Sequence, residues 1–163
     1  MSELFAPPGN RWQPVSPALA RMRRTLLVGA GVLLAIAGVA LILAFGLPSW
    51  ALAAFLVVLL AAAGAGWVVI GRNAGYWGYA ERDEDLYIKH GALFRRLVAV
   101  PYGRMQYVDV YAGPVDRVFG LAKVQLHTAS ARSDAYIPGL GPQEAARLRD
   151  RLASRGEARL AGL

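Results

Sequence analysis

The side chains that could support catalysis are few, and their spacing fits no catalytic or metal-binding pattern. His90 and His127 fall in segments predicted to be strands, and the acidic residues of 81–85 are typical of a solvated hairpin turn. The chain contains no cysteine, which excludes thiolate zinc sites and a cysteine nucleophile. No glycine-rich phosphate loop stands between a predicted strand and helix. We therefore expect no enzymatic activity, no metal site and no cofactor.

Basic residues are the first set that could bind a ligand. Four flank a long apolar stretch, and three more lie in or beside segment 91–107, which has no acidic residue: Arg21, Arg23, Arg24 and Arg72, then Lys89, Arg95 and Arg96. A cation near an anionic membrane surface contributes about 1 kcal/mol of binding. The set predicts a membrane-surface basic face. The alternative is that the first group sets topology and the second provides solubility.

A second set surrounds two turns and could form a partner or ligand surface. Its members are Arg104, Gln106, Gly113, Pro114, Arg117 and Phe119. Structurally, the glycine and proline would set turns and the phenylalanine would be buried. The exposed strand edges of a partly open barrel are a further possible partner site, because unpaired backbone groups accept a strand from another chain. Nucleic acid is not an expected partner, because no dense basic stripe with stacking aromatics is present.

The elements that must position these residues begin with a membrane hairpin. No charged residue occurs in segment 25–71, and its two apolar spans, 26–45 and 50–70, each match the roughly 20 residues needed to cross a bilayer. The link 46–49 contains Pro48 and suits a tight turn. A cleavable signal is the weaker interpretation, because the first span is too long and a second follows at once.

Charge predicts the orientation of this hairpin. Arginines flank both outer ends and the link has no charge, so the positive-inside rule places both termini in the cytoplasm of a two-pass cell-membrane protein. Neither span carries an ionisable residue that could relay protons. Small residues such as Gly31, Gly38 and Gly64 allow close packing, either within the hairpin or between copies in a homo-oligomer.

The remaining chain predicts a small α+β domain. Six strands are expected, at 76–80, 86–90, 97–100, 105–111, 122–127 and 135–137. A helix begins at Pro142 and carries an apolar stripe of Ala145, Leu148 and Leu152. The predicted boundaries are a cytoplasmic tail over 1–24, the hairpin over 25–71, the domain over 72–155 and a flexible tail over 156–163.

These segments resemble the bacterial pleckstrin-homology-like domains carried on small membrane proteins behind a two-helix hairpin. The resemblance rests on Pro101, Arg104-Met105-Gln106, Gly113-Pro114-Val115, Arg117, Phe119-Gly120-Leu121-Ala122, Thr128-Ala129, Gly139-Leu140, Ala145 and Leu148-Arg149. It implies an antiparallel split barrel of six or seven strands, capped by one C-terminal helix and attached to the cytoplasmic membrane. Ser130-Ala131 departs from the family, which often has glycine there. A seventh strand is expected within 113–121.

The resemblance implies no settled activity. We expect a non-enzymatic interaction module that acts as an accessory subunit or scaffold of a membrane protein assembly. The alternative is a sensor of anionic lipid at the cytoplasmic membrane surface. The expected partners are the lipid bilayer and other membrane proteins or a second copy of the chain.

Overall fold

A computed structural model describes residues 11–92, 94–128 and 134–160. The chain divides into two compact units. One is Ala20–Arg72, and the other combines Met1–Leu19 with Asn73–Leu163. Each unit is described separately below.

The first unit is the predicted helical hairpin. Helix α1 spans Ala18–Ala44 and α2 spans Ser49–Tyr76, and both are long and apolar enough to cross a membrane. Gly46, at φ +61°, ends α1 in the left-handed conformation that glycine adopts without strain. Gly38 packs against Phe55 of α2, while Gly31 and Gly64 face open space. Close packing inside the hairpin therefore uses only some of the small residues.

Both helices extend beyond the predicted apolar spans. Helix α1 begins at Ala18, whose N–H donates to the Ser16 hydroxyl at 3.2 Å. Helix α2 continues through polar Arg72 and Asn73 to Tyr76. The prediction that Tyr76 begins a strand is therefore wrong: the first strand after the hairpin begins at Gly78, because helical hydrogen bonding persists beyond the apolar residues.

The second unit contains two antiparallel sheets. The first has the order β1-β2-β3-β4, with β1 Gln13–Pro14, β2 Gly78–Glu81, β3 Asp85–His90 and β4 Arg96–Pro101. A 3-10 turn, Tyr102–Arg104, leads into the second sheet. That sheet has the order β5-β6-β7, with β5 Met105–Tyr111, β6 Ala122–Thr128 and β7 Ala135–Leu140. The predicted antiparallel split barrel is confirmed.

The seventh strand lies where the sequence did not indicate it. Segment 113–121 forms a short helix instead, α3 Pro114–Val118, which starts on a proline and is closed by the Gly113 N–H donating to the Asp116 carboxylate at 3.0 Å. The additional strand is β1, which precedes α1 and pairs with β2 in the register Gln13↔Tyr79. The helical hairpin is thus inserted between two neighbouring strands of one sheet.

Helix α4, Pro142–Leu160, packs on the barrel. Its predicted stripe, Ala145, Leu148 and Leu152, is fully buried. The helix continues beyond residue 156, where a flexible tail was expected, because Gly156 lies buried near the Tyr102 carbonyl and does not interrupt the packed face. The departure at Ser130-Ala131 lies outside the described residues.

Candidate functional site

The turn between β3 and β4 gathers three of the predicted basic residues. We call residues 89–96 the β3–β4 tip. Its cross-strand pairs are Lys89 with Leu97 and His90 with Arg96. Gly91 turns the chain at a φ of +92°, a conformation that favours glycine. It also lies so close to Phe94 that a Cβ on residue 91 would collide with the Phe94 carbonyl oxygen. Phe94, which the sequence did not single out, is 85% exposed beside Arg95 and Arg96.

Aromatic rings hold two of the tip cations in position. The Lys89 ammonium lies 4.4 Å from the centre of the Trp12 ring. The Arg95 guanidinium lies 5.1 Å from the centre of the Tyr76 ring and donates to the Tyr76 hydroxyl at 3.3 Å. Such contacts fix a cation electrostatically without neutralising it. The tip therefore presents ordered positive charge.

His90 does not add to that charge near neutral pH. Its ring stacks on Trp77, with ring centres 4.8 Å apart. Burial, and then the nearby positive charge of Arg96, lower the pKa of His90 below its ordinary value. The neutral imidazole therefore predominates, and the charge of the tip comes from Lys89, Arg95 and Arg96.

The other predicted basic residues belong to the helical unit. Arg21, Arg23 and Arg24 lie near the start of α1, and Arg72 lies near the end of α2. The Arg24 guanidinium lies 4.6 Å from the centre of the Trp67 ring within that unit. Their assignment to the membrane surface stays a prediction.

Exposed apolar side chains occur on β5 and on α3, the elements that follow or contain most of the predicted partner residues. We call Tyr107, Val110, Tyr111, Val115 and Val118 the β5–α3 surface; all five are exposed, and Val118 is 81% exposed. Such a concentration of exposed apolar side chains is typical of an interaction site. The sequence did not single out these five, because alternation along β5 and β6 predicts one buried face without indicating what covers the other.

The six predicted partner residues have different positions around this surface. Arg104 is exposed in the 3-10 turn, and Gln106 is exposed where the β5–β6 register shifts. Gly113 is buried before α3 and Pro114 is its first residue. Arg117 is exposed on α3, and half-buried Phe119 ends that helix. Their role in binding stays a prediction.

A groove separates β5 from α4. It has a volume of about 280 Å³ and is lined by Met105, Gln106, Tyr107 and Val108 of β5 and by Arg149, Leu152, Ala153, Gly156 and Glu157 of α4. Sequence reasoning missed it because it exists only where two elements distant in sequence pack together.

Two buried side chains, those of Tyr79 and Glu81, form a structural network with partly exposed residues of α4. The Tyr79 hydroxyl donates to the Glu144 carboxylate, and burial together with this carboxylate raises the pKa of Tyr79. Hydrogen bonding from Arg147 lowers the pKa of Glu144. Arg147 and Arg151 also pair with the Glu81 carboxylate, at 2.8 and 3.0 Å, and the Glu81 side chain is 8% exposed. These pairs join β2 to α4.

No metal-binding cluster accompanies the network in the part of the chain that the structure describes. No three His, Asp or Glu side chains there are grouped so that they could hold a metal ion.

A family model for the bacterial PH domain matches residues 25–156. The chain belongs to the bacterial PH domain family. The match includes most of the helical hairpin as well as β2 to β7, whereas β1 lies before it. This bacterial PH protein is also 36% identical over 74 residues to the UPF0699 transmembrane protein YdbS of Bacillus subtilis (strain 168).

That alignment covers 45% of each of the two chains, so it spans slightly less than half the length of the relative. No solved structure matches the chain. The family match and the relative support a membrane-associated PH-like module.

Proposed function

We propose that this bacterial PH protein is a non-enzymatic, membrane-anchored interaction module that serves as an accessory subunit or scaffold of a membrane protein assembly. The observation that carries the proposal is the exposed β5–α3 surface, with Val118 81% exposed. An apolar surface in water lowers its free energy when a partner covers it. Tyrosine is also enriched where proteins bind one another, and two of the five residues are tyrosines.

The proposed topology places this surface in the cytoplasm. Strands β1 and β2 flank the helical hairpin and pair with each other, which supports a topology with both ends of the hairpin on the same side of the membrane. The arginines at those ends and the uncharged link between the helices favour the cytoplasmic side. Anchoring raises the effective concentration of the domain toward neighbouring membrane proteins.

Affinity purification tests this function. The tagged full-length chain, purified from its own membranes in lipid nanodiscs, is expected to retain a companion protein at a fixed ratio. Val118→Asp is expected to reduce companion recovery at least ten-fold, because the bound partner would cover residue 118 and bury the introduced charge. Gln143→Asp makes the same charge change at an exposed position of α4 and is expected to retain the companion.

Two results of that purification would contradict the proposal. One is recovery of the chain without any stoichiometric companion. The other is an equal effect of Val118→Asp and Gln143→Asp on companion recovery.

Anionic-lipid binding is a second candidate, favoured by the β3–β4 tip. An exposed apolar side chain flanked by cations suits the boundary between headgroups and acyl chains, where Phe94 would insert and Arg95 and Arg96 would pair with phosphates. Arg95 contacts Tyr76, which follows Ile70 by only six residues in the sequence. Only a few residues of sequence therefore separate the end of the predicted second membrane span from the residue that Arg95 contacts.

A further inference from the structure

We propose that the groove between β5 and α4 binds an extended segment of a partner protein, which pairs with the free edge of β5. The inference rests on the proposed interaction function and names the class of partner segment. It places that segment beside the β5–α3 surface, which shares Tyr107 with the groove but has its most exposed residue, Val118, outside it.

The first support is the unpaired edge of β5. This strand lies at one end of the order β5-β6-β7, so among the described residues no strand pairs with its other side. A free strand edge offers rows of N–H donors and C=O acceptors to another extended chain. Strand β5 contains no lysine or proline, residues that commonly block such pairing; its charged residue, Asp109, lies outside the groove, and its register with β6 shifts between Met105 and Tyr107.

The second support is the way in which β5 lines the groove. Four consecutive residues, 105–108, contribute to its wall. Successive side chains of a strand point to opposite faces except at the register shift between Met105 and Tyr107, so a groove lined by all four neighbours lies along the edge of the strand. The opposite wall comes from one face of α4, at positions separated by three, four, seven and eight residues. The groove therefore fits a single extended segment lying between strand and helix.

The third support is the distribution of charge along the α4 wall. Apolar Leu152 and Ala153 lie between Arg149 and Glu157. Arg149 pairs with Asp150 at 2.7 Å, but both are solvent-exposed and a surface pair of this kind binds weakly, so Arg149 stays available. No ion pair of Glu157 occurs among the described residues. The groove thus has a positive end, an apolar middle and a negative end.

Helix and strand geometry give the spacing of the complementary residues. Arg149 and Glu157 are eight residues apart, which is about 12 Å along a helix. Side chains on the same face of a strand recur roughly every 6.6 Å. The partner segment should therefore carry an acidic residue and a basic residue four positions apart, with an apolar residue midway between them.

A second copy of the chain fits this groove less well. Another β5 would bring its own α4 against the same edge, because these two elements pack together in each copy. A single extended segment carries no such helix. The occupant is therefore a partner segment, and self-pairing is an outcome that the experiment distinguishes.

The test uses a phage library of random twelve-residue peptides, selected on the full-length chain in lipid nanodiscs. Enriched peptides are expected to show the acidic, apolar and basic residues at alternate positions. Ala153→Phe, at an exposed groove position, should fill the groove and weaken their binding at least ten-fold. Ser154→Phe adds the same ring at the next residue, which is exposed and outside the groove, and should change binding less than two-fold.

Two further measurements keep the test independent of folding defects. Selection on Arg149→Glu should replace the acidic residue of the enriched peptides by lysine or arginine. Hydrogen exchange should show slower exchange of the β5 amides when an enriched peptide binds, because strand pairing engages the backbone edge. Protection confined to α4 would overturn the strand-pairing inference.

Other outcomes would overturn the inference equally clearly. These are the absence of any enriched peptide, equal binding to Ala153→Phe and the wild type, or self-association that Ala153→Phe abolishes. If Ala153→Phe leaves peptide binding unchanged while Val118→Asp loses the membrane companion, the groove proposal fails and the proposed function stands. If peptides bind the groove but no companion is recovered from membranes, the proposed function fails and the groove proposal stands.

Discussion

Phe94 is the most exposed large apolar side chain among the described residues. Its neighbours Arg95 and Arg96 are exposed as well, while Arg95 is fixed over the Tyr76 ring. An apolar side chain in water is unfavourable by itself, so the combination with ordered cations favours the proposed bilayer contact over a role in solubility. Substitutions at Arg95 and Arg96 therefore separate the lipid candidate from the partner candidate.

Hydrogen exchange of the full chain in nanodiscs tests the lipid contact. Amides of residues 89–96 should exchange several-fold more slowly in anionic than in zwitterionic nanodiscs, because headgroups cover the tip. Arg95→Glu with Arg96→Glu should remove the difference, and so should 1 M salt, which shortens the Debye length to about 3 Å. Arg104→Glu with Arg117→Glu makes the same charge change at two exposed residues outside the tip and should preserve it. Equal exchange in both lipids would exclude this contact.

Strand β1 is the element that changes the interpretation of the domain. Strand β1 is only two residues long, but the segment directly after it, 15–19, contributes three buried side chains: Val15, Ala18 and Leu19. Leu19 is 2% exposed and contacts Gly139, whose φ of +72° and lack of a Cβ leave room for the leucine side chain. The residues before the hairpin therefore complete the core of the domain that follows it.

This arrangement predicts a stability difference between two soluble fragments. Residues 11–19 joined to 73–163 by a short glycine-serine linker should be more stable than residues 73–163 alone. The difference should be about 3 kcal/mol or more, because Val15 and Leu19 each contribute about 1.5–3 kcal/mol when buried. Urea unfolding measures it. Leu19→Ala should cost the joined fragment about 2–5 kcal/mol. Equal stability of the two fragments would contradict the role given to β1.

Periodicity explains which elements could be predicted from the sequence. Strand β6 alternates buried and partly exposed residues without interruption, and α4 repeats its apolar residues every three or four positions, so both carry their signal locally. Strand β1 carries no such signal, since two residues including Pro14 show no period and their partner strand lies beyond the hairpin. Segment 113–121 has strand-like valines, but Pro114 and the Asp116 carboxylate stabilise a helical turn.

The candidate surfaces were predictable to different extents. Runs of charge identify Lys89, Arg95 and Arg96 without a structure, because charge is visible residue by residue. Exposure of Phe94 and Val118 was not predictable, since an apolar residue near a turn is as often buried as exposed. The β5–α4 groove depends on packing between elements that are distant in sequence, which no local pattern records.

The whole molecule is a bacterial PH domain whose sheet is interrupted by two membrane-length helices. Pairing of β1 with β2 supports the proposed topology, in which both flanks of the hairpin share one compartment. If that compartment is the cytoplasm, the β3–β4 tip, the β5–α3 surface and the groove can all meet cytoplasmic partners or inner-leaflet lipid. Every proposed interaction therefore depends on this topology.

Cysteine accessibility in intact cells tests the topology most directly, because the natural chain has no cysteine to label. Single variants Arg11→Cys and Ser154→Cys should resist a membrane-impermeant maleimide until the cells are permeabilised, while Ser49→Cys at the start of α2 should react from outside. Labelling of residues 11 and 154 from opposite sides would contradict the inserted hairpin and the β1–β2 pairing. Labelling of both from outside would contradict a cytoplasmic interaction module.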